Sequence, residues 1–254
     1  MVPIHQASGG DASRSADPPF ADAIVLAAGT SERMGGPDKL MLEVAGLPLL
    51  GWTVRAAAAA RTVRRVIVVA RPDRVATLSR APYLREVGAL VVPGGRRRQD
   101  SVAEGVQASD AEVVLIHDGA RPLVTSNLMD LVAHEAREHG AAVPVVAVPE
   151  SMRRLVDGRV VGILDRHGLF RSQTPHGAQR AVLREVYSRL DPHGKDTFVD
   201  ETTLMQASGV TVRTVPGEPA NLKVTLPGDE QLAIALLEAR AATRALAAAS
   251  KRAC

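Results

Sequence analysis

Five short and nearly unbroken apolar runs recur in the first 150 residues of the chain: AIVLAA (23–28), RVIVVA (65–70), ALVVP (89–93), VVLIH (113–117) and AAVPVVAV (141–148). A strand with one wet face alternates apolar and polar residues. A run without alternation reads as a strand buried on both faces, the condition of a parallel sheet covered by helices. Stretches with helical spacing lie between several of the runs: LPLLGWTVRAAAAA, RQDSVAEGVQAS and SNLMDLVAHEAREHG. The last carries a capping signal at Ser126 and a stop at Gly140. Strands alternating with helices predict right-handed βαβ units, and hence an α/β fold with a mostly parallel, mixed sheet. The 254 residues suffice for a large core, and the expected organisation is one domain over residues 21–254.

The alternation breaks between residues 149 and 173. PESMRRLVDGRVVGILDRHGLF carries Asp157-Gly158 at its centre, a strong hairpin signal flanked by residues suited to strands. A lone hairpin is marginal in water, so the excursion is expected to pack on something else, with a second copy of the chain as the obvious candidate. Residues 1–20 hold Asp11, Arg14 and Asp17 with three prolines and no apolar segment, so they predict a disordered tail and not a signal peptide. No stretch approaches a membrane span, and the sole cysteine, Cys254, gives neither a disulfide nor a thiolate metal site. The expectation is a cytoplasmic protein with no membrane partner.

Aromatic residues make up only 2% of the chain, which leaves few rings for stacking bases and argues against a nucleic-acid partner. The net charge of +3 suits a small anion as well as a polyanion. Four lysines, at 39, 195, 223 and 251, stand against 27 arginines. A lysine kept in so arginine-rich a chain suggests a need for a compact point charge.

In an open parallel sheet, ligands bind beyond the carboxyl ends of the strands. Gly29, Arg33 and Lys39 follow the first run, GGRRRQDS (94–101) the third, and DGARP (118–122) the fourth. A glycine after a strand is ordinarily a turn. Three strand ends that combine glycines, helix starts and cations, with Asp118 among them, suit a polyphosphate. Neither a G-x-G-x-x-G nor a G-K-[ST] motif is present, which disfavours dinucleotide-dependent hydride transfer and P-loop phosphoryl transfer. HEAREH (134–139) spaces its histidines five apart, about 140° around a helix, so they do not share a face as zinc ligands must. It reads as a solvated helix end, and His117, closing a buried strand, reads as structural.

LAAGTSERMGGPDK resembles the signature of nucleotidyltransferases that attach a nucleoside monophosphate to a phosphorylated alcohol or sugar. GGRRRQDSV, VLIHDGARP, LDRHGLFRSQTP, DETTLMQASG and NLKVTLP, in that order over residues 22 to about 240, are similar to the 2-C-methyl-D-erythritol 4-phosphate cytidylyltransferases of non-mevalonate isoprenoid synthesis. The resemblance implies a Rossmann-like fold, CTP and a polyol phosphate as substrates, Mg²⁺ or another divalent cation bound mainly through the CTP phosphates, and a homodimer joined by a β-arm over residues 148–170.

It also implies roles. Ala27, Ala28 and Gly29 would line the nucleotide, with Arg33 and Lys39 on the triphosphate and Lys223 returning to the reacting phosphates. Gly95, Arg98 and Ser101 would hold the cytosine and nearby groups. Asp118, Gly119 and Arg121 would border the ribose and the acceptor, while Ser151 and Arg166 would reach from the arm into the neighbouring subunit's site beside Thr174. No protein ligand for the metal is implied. The chain departs from the family's pattern at Gly119, where alanine is usual, at Arg96 and Val199, and over Glu150-Ser151-Met152-Arg153. These departures leave ribitol 5-phosphate or another polyol phosphate open as the acceptor. A non-catalytic nucleotide-binding relative is also open.

Overall fold

The computed structural model of the chain describes residues 18–29 and 38–252. The strands are β1 (Ala21–Ala27), β2 (Glu43–Val44), β3 (Leu47–Pro48), β4 (Val63–Ala70), β5 (Leu90–Pro93), β6 (Val113–Asp118), β7 (Ala141–Ala147), β8 (Met152–Val156), β9 (Arg159–Leu164), β10 (Phe170–Ser172), β11 (His176–Gln179) and β12 (Arg213–Pro216). The helices are α1 (Leu49–Ala58), α2 (Val75–Ser79), α3 (Pro82–Arg85), α4 (Arg98–Gln107), α5 (Ser126–His139), α6 (Arg180–Arg189), α7 (Glu201–Ala207) and α8 (Asp229–Arg252).

Eight strands form one sheet in the order β10-β7-β11-β6-β1-β4-β5, with β12 paired to β7. β1 runs parallel to both β4 and β6, and β4 parallel to β5. β11 is wedged antiparallel between β6 and β7, and β10 is antiparallel to the far half of β7. The fold is therefore Rossmann-like with a mixed, mostly parallel sheet.

All five apolar runs form strands. Along β1, Ala21, Ala23 and Val25 pack with α1 and α5 on one face, while Ile24 joins α4, α6 and α7 on the other. β4 and β6 divide in the same way, Val66 and Leu115 to the first face and Ile67 and Ile116 to the second. Burying each such aliphatic side chain contributes about 1.5–3 kcal/mol. β5 departs from the expected double burial: Leu90 is 40% exposed, because β5 is the edge strand and is half covered. The cap of α5 also differs. Thr125, not Ser126, is the residue whose hydroxyl accepts from Leu128 N, at 3.1 Å. One residue of register decides which side chain stands at the first free N–H groups.

The ordered chain reaches further toward the N-terminus than expected. Phe20 is buried, packed at a tilt against the His134 ring and beneath the Arg137 guanidinium, and Phe20 N donates to Thr62 O. The remainder of the predicted disordered tail, residues 1–17, lies outside the described residues.

The hairpin forms where Asp157-Gly158 places it, with both residues at positive φ (47° and 74°) as a tight two-residue turn requires. β8 and β9 make a two-stranded sheet of their own, separate from the main sheet. The chain then returns through β10.

Candidate active site

β1 has β4 on one side and β6 on the other, so the connections after β1 and β6 diverge. The crevice at that reversal is where open α/β sheets bind ligands. Ala27 closes β1, Ala28 is half-buried and Gly29 is exposed beyond it. On the other side of the crevice the backbone comes very close: Gly119 N donates to Leu26 O at 2.9 Å, and a Cβ on Gly119 would lie 2.7 Å from that oxygen. Glycine suits this close approach, since a side chain would require the Leu26 backbone to shift.

The loop after β5 is built by α4. Ser101, buried on the helix, accepts from Gly95 N at 3.2 Å, and a Cβ on Gly94 would meet its hydroxyl at 2.7 Å. Arg97 caps the helix, its N–H bonded to Asp100 Oδ2 at 3.0 Å and its guanidinium to Asp100 Oδ1 at 2.6 Å. Arg98 follows, pointing from the first turn of α4 toward the end of β6.

Asp118, the last residue of β6, gathers three cations. Lys223 Nζ sits 2.8 Å from Oδ2, Arg98 Nη2 3.6 Å from Oδ1, and Arg121 Nε 3.7 Å from Oδ2. Burial pushes the Asp118 carboxyl up, but attraction from Lys223 and Arg98, the Lys223 hydrogen bond and attraction from Arg121 outweigh it and hold the group below the ordinary carboxylate range. Arg98 makes its shortest contact elsewhere: Nη1 lies 2.5 Å from Glu201 Oε1. Lys39, in the helical turn 39–41, donates to Val224 O at 2.6 Å and so stands beside Lys223. The two lysines singled out in the sequence, 184 residues apart, meet at one place.

Beneath the carboxylate lies a hydrogen-bonded chain. The Thr174 hydroxyl accepts from Asp118 N at 3.1 Å, so its proton is directed to His117 Nδ1 at 2.9 Å. Nε2–H of His117 then donates to Arg121 O at 3.3 Å. Complete burial pushes the His117 imidazole down to about 4, so it is neutral near pH 7 and serves the scaffold, as the sequence implies. Thr174, expected beside the acceptor, is itself buried with its hydroxyl occupied by this chain. It holds Asp118 in place. Asn221, fully buried, ties Thr174 O to the Lys223 segment at 2.9 Å.

Of the residues the sequence nominates, Lys39, Arg98, Asp118, Arg121, Thr174 and Lys223 are joined by contacts, while Gly95 and Ser101 shape the adjoining loop. Ser151 and Arg166 are exposed on the arm and make no contact with this cluster within the chain, Arg166 bonding instead to Pro149 O. Arg33 lies outside the described residues.

The family model for 2-C-methyl-D-erythritol 4-phosphate cytidylyltransferase (IspD) matches residues 21–239. The chain belongs to the 2-C-methyl-D-erythritol 4-phosphate cytidylyltransferase family. It is 32% identical to the Bacillus licheniformis protein of that name, over 86% of this chain and 96% of the relative. A bifunctional IspD/IspF enzyme of Anaeromyxobacter dehalogenans is 39% identical over 86% of this chain, which spans 58% of that longer protein's length. The crystal structure of the Thermus thermophilus 2-C-methyl-D-erythritol 4-phosphate cytidylyltransferase superposes with a TM-score of 0.70 at 33% identity, covering 85% of this chain and 98% of that one.

In this member of the cytidylyltransferase family, the residues that the sequence leaves without a role are Glu201 and His176. Glu201 is buried at the start of α7, and its second oxygen takes a contact from His176 Nδ1 at 3.0 Å. DETT was visible as a motif, but no spacing rule connects residue 201 with residue 98. The signal that remained in the sequence was a second carboxylate beside the capping Asp200.

Proposed function

We propose that the chain transfers the cytidylyl group of CTP to 2-C-methyl-D-erythritol 4-phosphate, giving 4-diphosphocytidyl-2-C-methyl-D-erythritol and pyrophosphate. The observation that carries this reading is the family match over nearly the whole ordered chain, with a relative of matching length bearing that activity in its name. The cation cluster at the end of β6 supplies the chemistry.

The acceptor is a phosphate monoester, mostly dianionic near pH 7 because its second pKa is ~6. One of its oxygens forms a bond to the α-phosphorus of CTP as the bond to the β-phosphate oxygen breaks, and pyrophosphate leaves with that electron pair. The nucleophile is already ionised, so no general base is needed, in keeping with a neutral His117 held inside the scaffold. The difficulty is bringing two anions together and stabilising charge as the α-phosphorus passes through an in-line transition state. Arg98, Arg121 and Lys223 outnumber Asp118 and Glu201 by one positive charge, and Lys39 adds another. Asp118 keeps these like charges close to one another before the phosphates arrive. Arg33 would add a further cation.

A divalent ion such as Mg²⁺ fits this donor set in one way. No group of three or more His, Cys, Asp or Glu suited to a metal occurs among the described residues. The ion would therefore enter with the CTP phosphates, with Asp118 as the nearby carboxylate and water completing its shell. When bound, it neutralises phosphate charge.

The working unit of this reading is a homodimer. The arm exposes Leu155 (60%), Val160 (62%) and Ile163 (73%). The register of β8 on β9 distributes apolar side chains over both faces of the hairpin. Such a surface on a free two-stranded sheet calls for a protein partner, and a second copy of the chain would receive Ser151 and Arg166 at its own site. No helix of the described residues is long and apolar enough to cross a membrane. A cytoplasmic location accompanies the proposal.

Purified protein with CTP, Mg²⁺ and each candidate acceptor, followed by pyrophosphate release and product mass, tests the reading. The erythritol phosphate should react at least tenfold faster than ribitol 5-phosphate. CTP should be preferred strongly over UTP, whose carbonyl replaces a donor amine and leaves buried partners unpaired. Equal rates with both acceptors would remove the assignment of the acceptor, and equal rates with both nucleotides the assignment of residues 94–101 to the base.

A further inference from the structure

We infer that Glu201 is a positioning residue that holds the Arg98 guanidinium in the nucleotide site, itself seated by His176 and by the 191–198 segment. The inference rests on the proposed placement of Arg98 against the nucleotide.

Arg98 has two carboxylates within reach, and the distances rank them. Glu201 Oε1 lies 2.5 Å from Nη1, whereas Asp118 Oδ1 lies 3.6 Å from Nη2. Asp118 is already bonded to Lys223 at 2.8 Å. Glu201 therefore keeps Arg98 from closing onto Asp118 and competing with Lys223 for it. Burial opposes both charges of the pair. Even so, the Arg98 guanidinium is held above its ordinary value by Glu201 and Asp118, and the Glu201 carboxyl below its own by Arg98 and His176.

The seat of Glu201 is built by the sequence neighbours of Arg98. Arg97 donates to the carbonyls of Pro192, Gly194 and Asp196 at 2.9, 2.7 and 3.2 Å. Gln99 donates to Pro192 O and Asp196 O at 2.7 and 2.9 Å and accepts from Phe198 N at 3.0 Å. Residues 97 and 99 thus hold the irregular segment that leads into α7, where Asp200 caps the helix by accepting from Thr203 N at 2.9 Å. The first residue of that helix is Glu201, and it returns to residue 98. His176, buried on β11, fixes the other carboxylate oxygen. Two independent anchors on one buried carboxylate leave it a single orientation, and through it Arg98 has one as well.

The test is CTP binding by calorimetry without acceptor, together with steady-state transfer and melting temperature. Glu201→Gln keeps the size and one acceptor oxygen but removes the charge. It should raise the Kd for CTP at least tenfold and the KM for CTP in parallel, with the KM for the polyol phosphate within twofold of the parent. In an Arg98→Met background the same replacement should change the CTP Kd less than twofold. Should Glu201→Gln fail to fold, His176→Asn loosens the carboxylate without removing it. That variant should raise the CTP Kd about threefold, again only when Arg98 is present.

Unchanged CTP binding in the variant that folds overturns the inference. So does a loss that persists undiminished without Arg98, since Glu201 would then act by holding α7 alone. A parent protein that binds CTP but transfers nothing to any acceptor overturns the proposed reaction while leaving this inference standing. A parent that does not bind CTP overturns both.

Discussion

On the β8–β9 arm, apolar side chains stand in solvent, and at the end of β6 ionised side chains are buried. Ile163 is 73% exposed, whereas Asp118 and Glu201 are buried. Each region inverts the usual distribution, and each inversion matches a different partner. Exposed apolar surface is relieved by another protein surface. A buried carboxylate among cations is stable only while its partners remain, and its excess positive charge suits a polyanion. On the proposed reading the first inversion serves assembly and the second chemistry. The two meet only where Ser151 and Arg166 of the arm would reach a second copy's site, so perturbations of the apolar arm residues and of the buried cluster should have different first effects.

The largest effect belongs to the buried cluster. Lys39→Ala should lower turnover more than a hundredfold, about 3 kcal/mol of lost transition-state stabilisation, with the melting temperature nearly unchanged. Lys39→Arg should also be poor, since a planar fork does not replace a point charge that reaches Val224 O at 2.6 Å. Near-normal turnover of either variant would move the chemistry away from this lysine.

Acid stability probes the same cluster in the absence of substrate. His117 has a folded pKa pushed down to about 4, below its unfolded value of about 6.5. Between those values the unfolded chain binds more protons, so the contribution is fully present above about pH 6.5 and is lost as pH falls toward 4. The loss amounts to at most about 3 kcal/mol. Asp118 and Glu201, also depressed, extend the decline below about pH 4, where their unfolded forms begin to protonate. Denaturant titrations between pH 4 and 7 should show the slope, and His117→Gln should flatten it. A variant with the parent's slope would place the titration elsewhere.

The arm should respond in the opposite manner. Leu155→Lys or Ile163→Lys should weaken dimerisation by about 2 kcal/mol, the burial lost by one aliphatic side chain, without lowering the stability of the chain itself. Light scattering across a dilution series reads the first and thermal unfolding at low concentration the second. Parent and variants that are monomers at every concentration would leave the exposed apolar surface without its partner.

The smallest signal is the most specific. Lys39→Ala and Arg166→Ala should each be nearly inactive alone. Refolded together at random, half the dimers are mixed, and one site in each mixed dimer carries neither lesion. Roughly a quarter of all sites should then recover. Verified mixed dimers as inactive as their parents would confine the arm to its own subunit.

Legibility in the sequence followed the range of the interactions. β1, β4 and β6 were visible as apolar runs because both of their faces are buried, and the arm was visible because Asp157-Gly158 needs positive φ at two adjacent positions. β11 was not. HGAQ carries no apolar run, and it is a strand because β6 and β7 offer it two edges at once. The cations at strand ends were readable one loop at a time. The contacts of Glu201 with Arg98 and His176 join three distant segments that only the completed sheet brings together. The inward turn of the Thr174 hydroxyl was hidden for the same reason.

The chain leaves β7 and rejoins the sheet at β10 through a narrow neck, where Val148 N donates to Leu169 O at 3.2 Å. Everything between those residues is an insertion whose two ends already touch. Replacing residues 149–168 by a short turn would leave the order of the main sheet as it is, and the entropic cost of closing loops changes only slowly with their length. The proposed subunit association would thus be encoded in a detachable segment, and the proposed nucleotide crevice in the sheet. On that reading, editing one loop would change the company this protein keeps and withdraw Ser151 and Arg166 from a second copy's site, while the order of the main sheet stays as it is.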